Sequence, residues 1–248
     1  MSFSSVADSY NHSLETLEQI GRYDDFMLSI KTLADMGCGK GEELKWWATR
    51  TDPETNEPLK IDCTGFDIEP SLSVAQSYSN IVYQKQNFEN EIKGEKKFDV
   101  IWCHDAFQYA LNPINTLKNW YHAMNENGML VIIMPTTINL NGKKLEKFHH
   151  NHTFYHYSLV NLMYMLAMNG FDCGDGFLKD DEMNGWIMAA VYKSDHEPED
   201  PLTASWHTMA DRGLLPGTAL ESINNYNYVR QDALTLPWVN KELYWYGR

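Results

Sequence analysis

The sequence predicts an α/β fold with a doubly wound, mostly parallel seven-stranded sheet and an antiparallel terminal strand. Short apolar segments alternate with helical patterns from residue 32 onward, which is typical of parallel strands joined by crossover helices. The first apolar segment runs into a glycine-rich turn at Gly37–Gly41, and a helical pattern follows the turn. The last two apolar segments have no helical pattern between them, which indicates a closing antiparallel pair.

The chain order of the predicted elements supports this fold. The first strand is expected to begin at Thr32. Six further strands are expected at residues 59–68, 81–83, 98–103, 129–134, 171–178 and 186–192. Helices are expected at 42–47 and from Pro70. Two more are expected from Asn112-Pro113 to Asn127-Gly128 and from Ser158 to Gly170, because Asn and Ser are good N-caps and glycine ends helices. This order predicts N-terminal helices at 1–31, a central domain at 32–193 and a C-terminal extension at 194–248.

Composition excludes several classes of protein. The formal net charge is −14, and both lysine-rich segments contain glutamates, so a nucleic-acid partner is not expected. No segment is apolar enough for a signal peptide or a membrane span. The four cysteines form no C-x-x-C pair, which favours reduced thiols and a cytoplasmic location over disulfides or a zinc site.

A ligand site is expected where the predicted strands end. Ligands of open α/β sheets bind beyond the carboxyl ends of the strands, and glycines at alternate positions let the backbone approach a ligand closely. Asp67, at the end of the second strand, is placed to accept hydrogen bonds from both ribose hydroxyls, with Glu69 as the neighbouring alternative. The G-x-G-x-G spacing followed by Glu42 counts against a pyrophosphate and favours a cationic or zwitterionic ligand.

The motifs at these strand ends resemble those of class I S-adenosylmethionine-dependent methyltransferases. Asp35-Met-Gly-Cys-Gly-Lys-Gly41 is similar to their first motif, and Gly65-Phe-Asp-Ile68 is similar to their second. Phe98-Asp-Val-Ile-Trp-Cys-His104 resembles their fourth motif, and Asn127-Gly-Met-Leu-Val-Ile132 resembles the strand after the next helix. The resemblance covers about residues 30–193 and implies a Rossmann-like fold with S-adenosylmethionine as the cofactor.

The resemblance also implies roles for individual residues. Asp35 and the glycine turn would hold the methionine moiety, Asp67 the ribose, and Ile68 would pack on the adenine. His104 would lie near the transferred methyl group and is the candidate general base. The full set of implied cofactor contacts is Asp35, Gly37, Cys38, Gly39, Gly41, Asp67, Ile68, Asn87, Phe88 and Cys103.

A histidine-rich segment follows the fifth predicted strand, in the loop that borders the substrate pocket of this fold. His150, His152 and Tyr155 are the candidate substrate contacts, with metal binding and plain loop packing as alternatives. No H-E-x-x-H pattern is present, and we expect no metal.

The favoured function is methyl transfer to a small-molecule acceptor, with a nicotinamide-dependent oxidoreductase or a non-catalytic nucleotide-binding protein as alternatives. The fourth strand lacks the Asn/Asp-Pro-Pro-aromatic motif of enzymes that methylate nucleic-acid amino groups. The aromatic side chains of the C-terminal extension are expected to be buried against another part of the protein or a second subunit, because they have large apolar areas. The extension would form a lid over the site, a homodimer contact, or a layer on the outer helices.

Overall fold

The computed structural model describes residues 28–52, 54–70, 77–135, 155, 157–181 and 186–226. The strands are Thr32–Met36 (β1), Asp62–Asp67 (β2), Ile81–Lys85 (β3), Phe98–His104 (β4), Met124–Pro135 (β5), Phe171–Asp181 (β6) and Trp186–Lys193 (β7). They form one seven-stranded sheet in the order β3-β2-β1-β4-β5-β7-β6, and β7 is antiparallel to both of its neighbours. The predicted fold class is therefore confirmed.

Helices flank this sheet. They are Glu42–Ala48 (α1), Pro113–Ala123 (α2), Leu159–Met168 (α3), Trp206–Asp211 (α4) and Gly217–Tyr226 (α5), with a 3₁₀ turn at Phe107–Tyr109. The predicted helix after Pro70 and nearly all of the predicted N-terminal helices lie outside the described residues. No helix in the described part of the chain is both long and apolar enough to cross a bilayer.

The hydrophobic core lies on both faces of the sheet, as the nearly continuous apolar sequence of β4 predicts. Val100 and Trp102 of β4 belong to one cluster, which also contains Leu44 and Trp47 of α1. The side chains that alternate with them, such as Ile101, belong to a second cluster with α2 and α3. The central strands are therefore held between two apolar layers, and their carboxyl ends form a fixed edge.

Two predicted helix caps are present. The side chain of Asn112 accepts a hydrogen bond from the backbone N–H of Asn115 (3.1 Å), and Pro113 occupies the first turn of α2. Ser158 caps α3 in the same way through Asn161 (3.2 Å), and Gly170 follows that helix with φ +81°. Local side-chain chemistry thus determines where both helices begin.

The end of α2 differs from the prediction, which placed it at Asn127-Gly128. The helix ends at Ala123, and Met124 is already extended and paired with Phe98. The pairing of β4 with β5 is irregular between Phe98 and Val100, and Asn127 adopts φ +60° within β5. The Asn-Gly signal therefore marks an irregularity near the start of a strand and not the end of the helix. The helix ends earlier because Met124 is buried as part of the sheet.

The described part of the C-terminal extension packs near α3 and β6. Met209, Leu214 and Ile223 belong to the larger core cluster, and the backbone N–H of Cys173 donates to the carbonyl of Leu214 (3.1 Å). Because β7 runs antiparallel to β5, its last residues lie beside the first half of β5. The extension therefore begins at the end of the strands opposite the glycine turn. Residues 227–248 lie outside the described residues, and a lid formed by them stays a prediction.

The cap of α2 gives a test of this fold. Replacing Asn112 with Ala should lower the free energy of unfolding by about 1 kcal/mol, because the N–H of Asn115 loses its acceptor. The matched control is Asn112→Ser, which keeps a capping oxygen and should stay close to the wild type. Denaturant titration measures both, and equal losses in the two variants would contradict the capping role.

Candidate functional site

The glycine turn after β1 adopts a backbone that other residues rarely adopt. Gly37, Gly39 and Gly41 have φ values of +84°, +48° and +78°. A Cβ at Gly37 would overlap the Cβ of Ala106, and one at Gly41 would overlap the hydroxyl of Tyr83. The turn therefore lies closely against the segment after β4 and against β3, which brings three strand ends together.

Asp67 connects the end of β2 to this turn. One carboxylate oxygen accepts a hydrogen bond from the backbone N–H of Gly39 (2.9 Å), and the other accepts from Glu69 (2.8 Å). Each oxygen has a second lone pair, so the carboxylate can still accept hydrogen bonds from a ligand. The adjacent Ile68 is 63% exposed, which leaves an apolar surface beside this carboxylate. Asp67 thus fixes the turn and lies where the ribose contact is predicted.

Negative charge is concentrated around the turn. Asp35, at 2% exposure in β1, lies close to the carboxylates of Glu43 and Asp67. Burial raises the pKa of Asp35 well above its ordinary value, and repulsion by Glu43 and Asp67 raises it further. Among the described residues, the Oδ2 atom of Asp35 is buried without a hydrogen-bond partner. A buried acceptor without a partner is costly, so the site is suited to a cationic ligand.

His104, the candidate general base, ends β4 and is held by Glu43. Its Nδ1 pairs with one carboxylate oxygen of Glu43, while the other oxygen accepts a hydrogen bond from the indole N–H of Trp102 (3.0 Å). The imidazole lies edge-on to the ring of Trp186 at 5.5 Å. Burial alone would lower the pKa of His104, but the carboxylates of Glu43 and Asp105 outweigh it and raise the pKa above the ordinary value.

Asn87 and Phe88, for which the family resemblance implies contacts with the adenine, follow β3. The side-chain oxygen of Asn87 accepts a hydrogen bond from the backbone N–H of Glu89 (3.0 Å). Phe88 packs against Trp120 at 6.1 Å, and its carbonyl accepts a hydrogen bond from the indole N–H of the same residue (2.9 Å). A Cβ at Gly37 would lie 3.9 Å from the ring of Phe88. Phe88 therefore lies near the glycine turn, and its contact with an adenine stays a prediction.

The two cysteines of the predicted site turn their thiols into the protein. The Sγ atom of Cys38 faces Gly65 of β2, and Cys103 is fully buried in the larger core cluster. Burial raises the pKa of both thiols, so neither is a reactive thiolate at neutral pH. The cofactor contacts implied for these two residues stay predictions, and they would involve backbone atoms and not the thiols. All four cysteines carry free, buried thiols.

The histidine-rich segment lies almost wholly outside the described residues, including His150 and His152. Tyr155 is described: its hydroxyl donates to the carbonyl of Leu111 (3.2 Å), which places it beside the segment after β4. In the parts of the chain that the structure covers, no three His, Cys, Asp or Glu side chains are grouped in a way that could hold a metal ion.

Three residues of the site were missed by the sequence interpretation. The first is Glu43, whose side chain turns inward to His104. The sequence had drawn attention to the charge of its neighbour Glu42, whose side chain is exposed. Tyr83 contacts the turn through a hydrogen bond from its hydroxyl to the carbonyl of Lys40 (3.3 Å), and burial is the main cause that raises its pKa to about 12. Trp186 contacts His104 from β7. Only Glu43 carried a signal, since it precedes Leu44 on the buried face of a predicted helix.

Comparison with known proteins identifies the family. A family model described as "Methyltransferase domain" matches residues 13–173, which is more than half of the chain. The chain is 26% identical over 113 residues to a tRNA U34 carboxymethyltransferase from Sulfurimonas denitrificans, covering 43% of this chain and 36% of that protein. It is 27% identical over 124 residues to a caffeic acid 3-O-methyltransferase from Zinnia elegans, covering 50% of this chain and 32% of that protein.

A solved structure shows the same fold. Phosphoethanolamine N-methyltransferase 2 from Haemonchus contortus, in complex with S-adenosyl-L-methionine, superposes with a TM-score of 0.53 at 13% identity, covering 66% of this chain and 49% of that one. The chain spans about a third of the length of the two curated relatives that it matches. From the family model and the shared fold, the chain belongs to the class I S-adenosylmethionine-dependent methyltransferases.

Proposed function

We propose that this chain transfers a methyl group from S-adenosylmethionine to a small-molecule acceptor. The observation that carries the proposal is the group of carboxylates around the glycine turn, in which buried Asp35 has an oxygen atom without a partner among the described residues. S-adenosylmethionine has a sulfonium and an ammonium group, so its positive charges complement this site. A nicotinamide dinucleotide has a negatively charged pyrophosphate, which the same carboxylates would repel.

The residues of this chain are suited to each part of the cofactor. Asp35 and the backbone of Gly37–Gly41 would hold the methionine moiety, and Asp67 would accept hydrogen bonds from the ribose hydroxyls. Ile68 and Phe88 would enclose the adenine, because both present apolar surface beside the turn. Cofactor binding would thus use the ends of β1, β2 and β3.

The chemistry needs little from the protein beyond placement. When bound, S-adenosylmethionine supplies a methyl group on a sulfonium, which is already a good leaving group. The chain contributes alignment of the acceptor with that methyl group and exclusion of water. His104 would accept a proton from an acceptor that arrives as a hydroxyl or an ammonium group. Tyr155, His150 and His152 are the candidate contacts for the acceptor itself.

The acceptor class is proposed from charge. A net charge of −14 opposes the phosphate backbone of a nucleic acid, which favours a small molecule. One relative is named for its action on tRNA and another for its action on caffeic acid, so both classes belong in the test. A methyl-transfer screen with labelled cofactor would compare hydroxyl- and amine-bearing small molecules with bulk tRNA. Labelling of tRNA alone would overturn the small-molecule proposal.

Calorimetry with S-adenosylhomocysteine tests the role of Asp67. Asp67→Ala should weaken binding by about 1.5–3 kcal/mol, or about ten- to a hundred-fold in Kd, because the ribose loses a charged acceptor. Glu69→Ala at the same sheet edge is the control and should bind as the wild type does. A loss in Glu69→Ala with none in Asp67→Ala would assign the ribose contact to Glu69. NAD should give no binding heat with any of the three proteins.

The raised pKa of Asp35 predicts that cofactor binding depends on pH. A cation binds the ionised carboxylate better, so affinity should rise as pH rises through the pKa of Asp35 in the free protein. Binding should therefore release protons, which calorimetry in two buffers of different ionisation enthalpy measures. Asp35→Asn should bind more weakly and lose part of this release. His104 also loses positive charge as pH rises, so the Asp35→Asn and His104→Gln variants separate the two contributions. Unchanged proton release in Asp35→Asn would contradict the prediction.

A further inference from the structure

A buried polar network connects α1 to the end of β4. Glu43 is the second residue of α1, and its side chain is 21% exposed, whereas the side chain of His104 is 2% exposed. The carboxylate uses one oxygen for Nδ1 of His104 and the other for the indole N–H of Trp102. The position of Glu43 is therefore fixed at both of its oxygens.

This arrangement determines which nitrogen of His104 can act as a base. A carboxylate accepts hydrogen bonds and does not donate them when ionised, so the neutral imidazole must carry its hydrogen on Nδ1. The lone pair then lies on Nε2. A carboxylate beside Nδ1 also stabilises the imidazolium that forms once Nε2 has taken a proton. Trp186 packs against the ring and limits its rotation.

We propose that Glu43 is a positioning residue, which holds His104 as the general base toward an acceptor whose hydroxyl or amino group must lose a proton. The inference rests on the proposed function. The acceptor's heteroatom forms the new bond to the methyl carbon, sulfur keeps the electron pair of the broken bond, and the acceptor's proton passes to Nε2 of His104. A methyl acceptor that is already deprotonated would require neither His104 as a base nor Glu43 to position it.

The charged groups that face His104 in the described structure are Glu43 from α1 and Asp105 from the chain directly after β4. Glu43 is the larger influence of the two, through both its charge and its hydrogen bond. Glu42 precedes it on the same helix turn with an exposed side chain. Glu42→Gln therefore removes the same charge from the same helix end without touching His104, and it serves as the matched control.

The first test is nitrogen NMR of the histidine rings, with His104 assigned from its missing signals in His104→Gln. In the wild type, neutral His104 should carry its proton on Nδ1. Glu43→Gln should lower the pKa of His104 by about 1 to 3 units and weaken the tautomer preference, because the paired charge is gone. Glu42→Gln should leave both unchanged. A wild-type His104 protonated on Nε2 when neutral would overturn the proposal.

The second test follows methyl transfer to an acceptor found in the screen. Glu43→Gln should lower kcat about a hundred-fold with little change in the acceptor KM, and it should move the acidic limb of the kcat profile to lower pH. Glu42→Gln should retain wild-type values. Glu43→Asp keeps the charge, so it should keep more activity than Glu43→Gln and provides a second variant if the latter does not fold. Equal kcat and pH profiles in Glu43→Gln and Glu42→Gln would overturn the positioning role.

The two proposals fail in different ways. If the wild type does not bind S-adenosylhomocysteine, the proposed function is wrong, whatever the tautomer of His104. If the wild type binds it and transfers methyl groups but Glu43→Gln is as active as Glu42→Gln, only the role of Glu43 is wrong. Melting temperatures of all variants separate a loss of folding from a loss of function.

Discussion

The rest of the site depends on uncompensated negative charge at the end of β1. Asp35 is buried between two apolar layers, and in the described structure its Oδ2 atom has no hydrogen-bond partner. Burial, together with repulsion by Glu43 and Asp67, raises the pKa of Asp35 well above its ordinary value, so an ionised carboxylate is costly at this position. A positively charged ligand would compensate the carboxylates. The same charge that raises the pKa of Asp35 therefore favours binding of a cation over an anion.

The parallel sheet brings this charge together from distant parts of the sequence. Asp35 and Asp67 are far apart in the chain, but β1 and β2 pair in parallel register with Asp35 opposite Gly65. Their carboxyl ends consequently meet at one edge, where the turn at Gly37–Gly41 fills the space between them. Asp67 then accepts a hydrogen bond from the N–H of Gly39, so the carboxylate proposed to bind the ribose also shapes the turn. Replacing Asp67 would therefore remove one hydrogen bond of the turn together with the proposed ribose contact.

Features with a local physical cause could be predicted from the sequence. Positive φ at alternate glycines, the caps at Asn112 and Ser158, and the parallel strands with an antiparallel end all follow from neighbouring residues or from general rules of connection. The end of α2 could not be predicted, because the burial of Met124 against the sheet overrides a good turn signal at Asn127-Gly128. The partners of the Glu43 side chain could not be predicted either. They are Trp102 and His104, whose side chains reach the face of β4 that lies against α1.

The site divides into two halves that follow the division of the sheet. The proposed cofactor half comprises the ends of β1, β2 and β3, where backbone N–H groups and carboxylates come together. The half around His104 is formed by β4 and β7, and there the walls are aromatic, with Trp102 and Trp186 beside the imidazole. Glu43 belongs to both halves, since it repels Asp35 and pairs with His104. A cation bound beside Asp35 would offset the repulsion between Asp35 and Glu43. It would thereby also change how strongly the carboxylate of Glu43 stabilises the protonated form of His104. Under the proposed function, cofactor binding and proton acceptance by His104 would therefore be coupled through this one carboxylate.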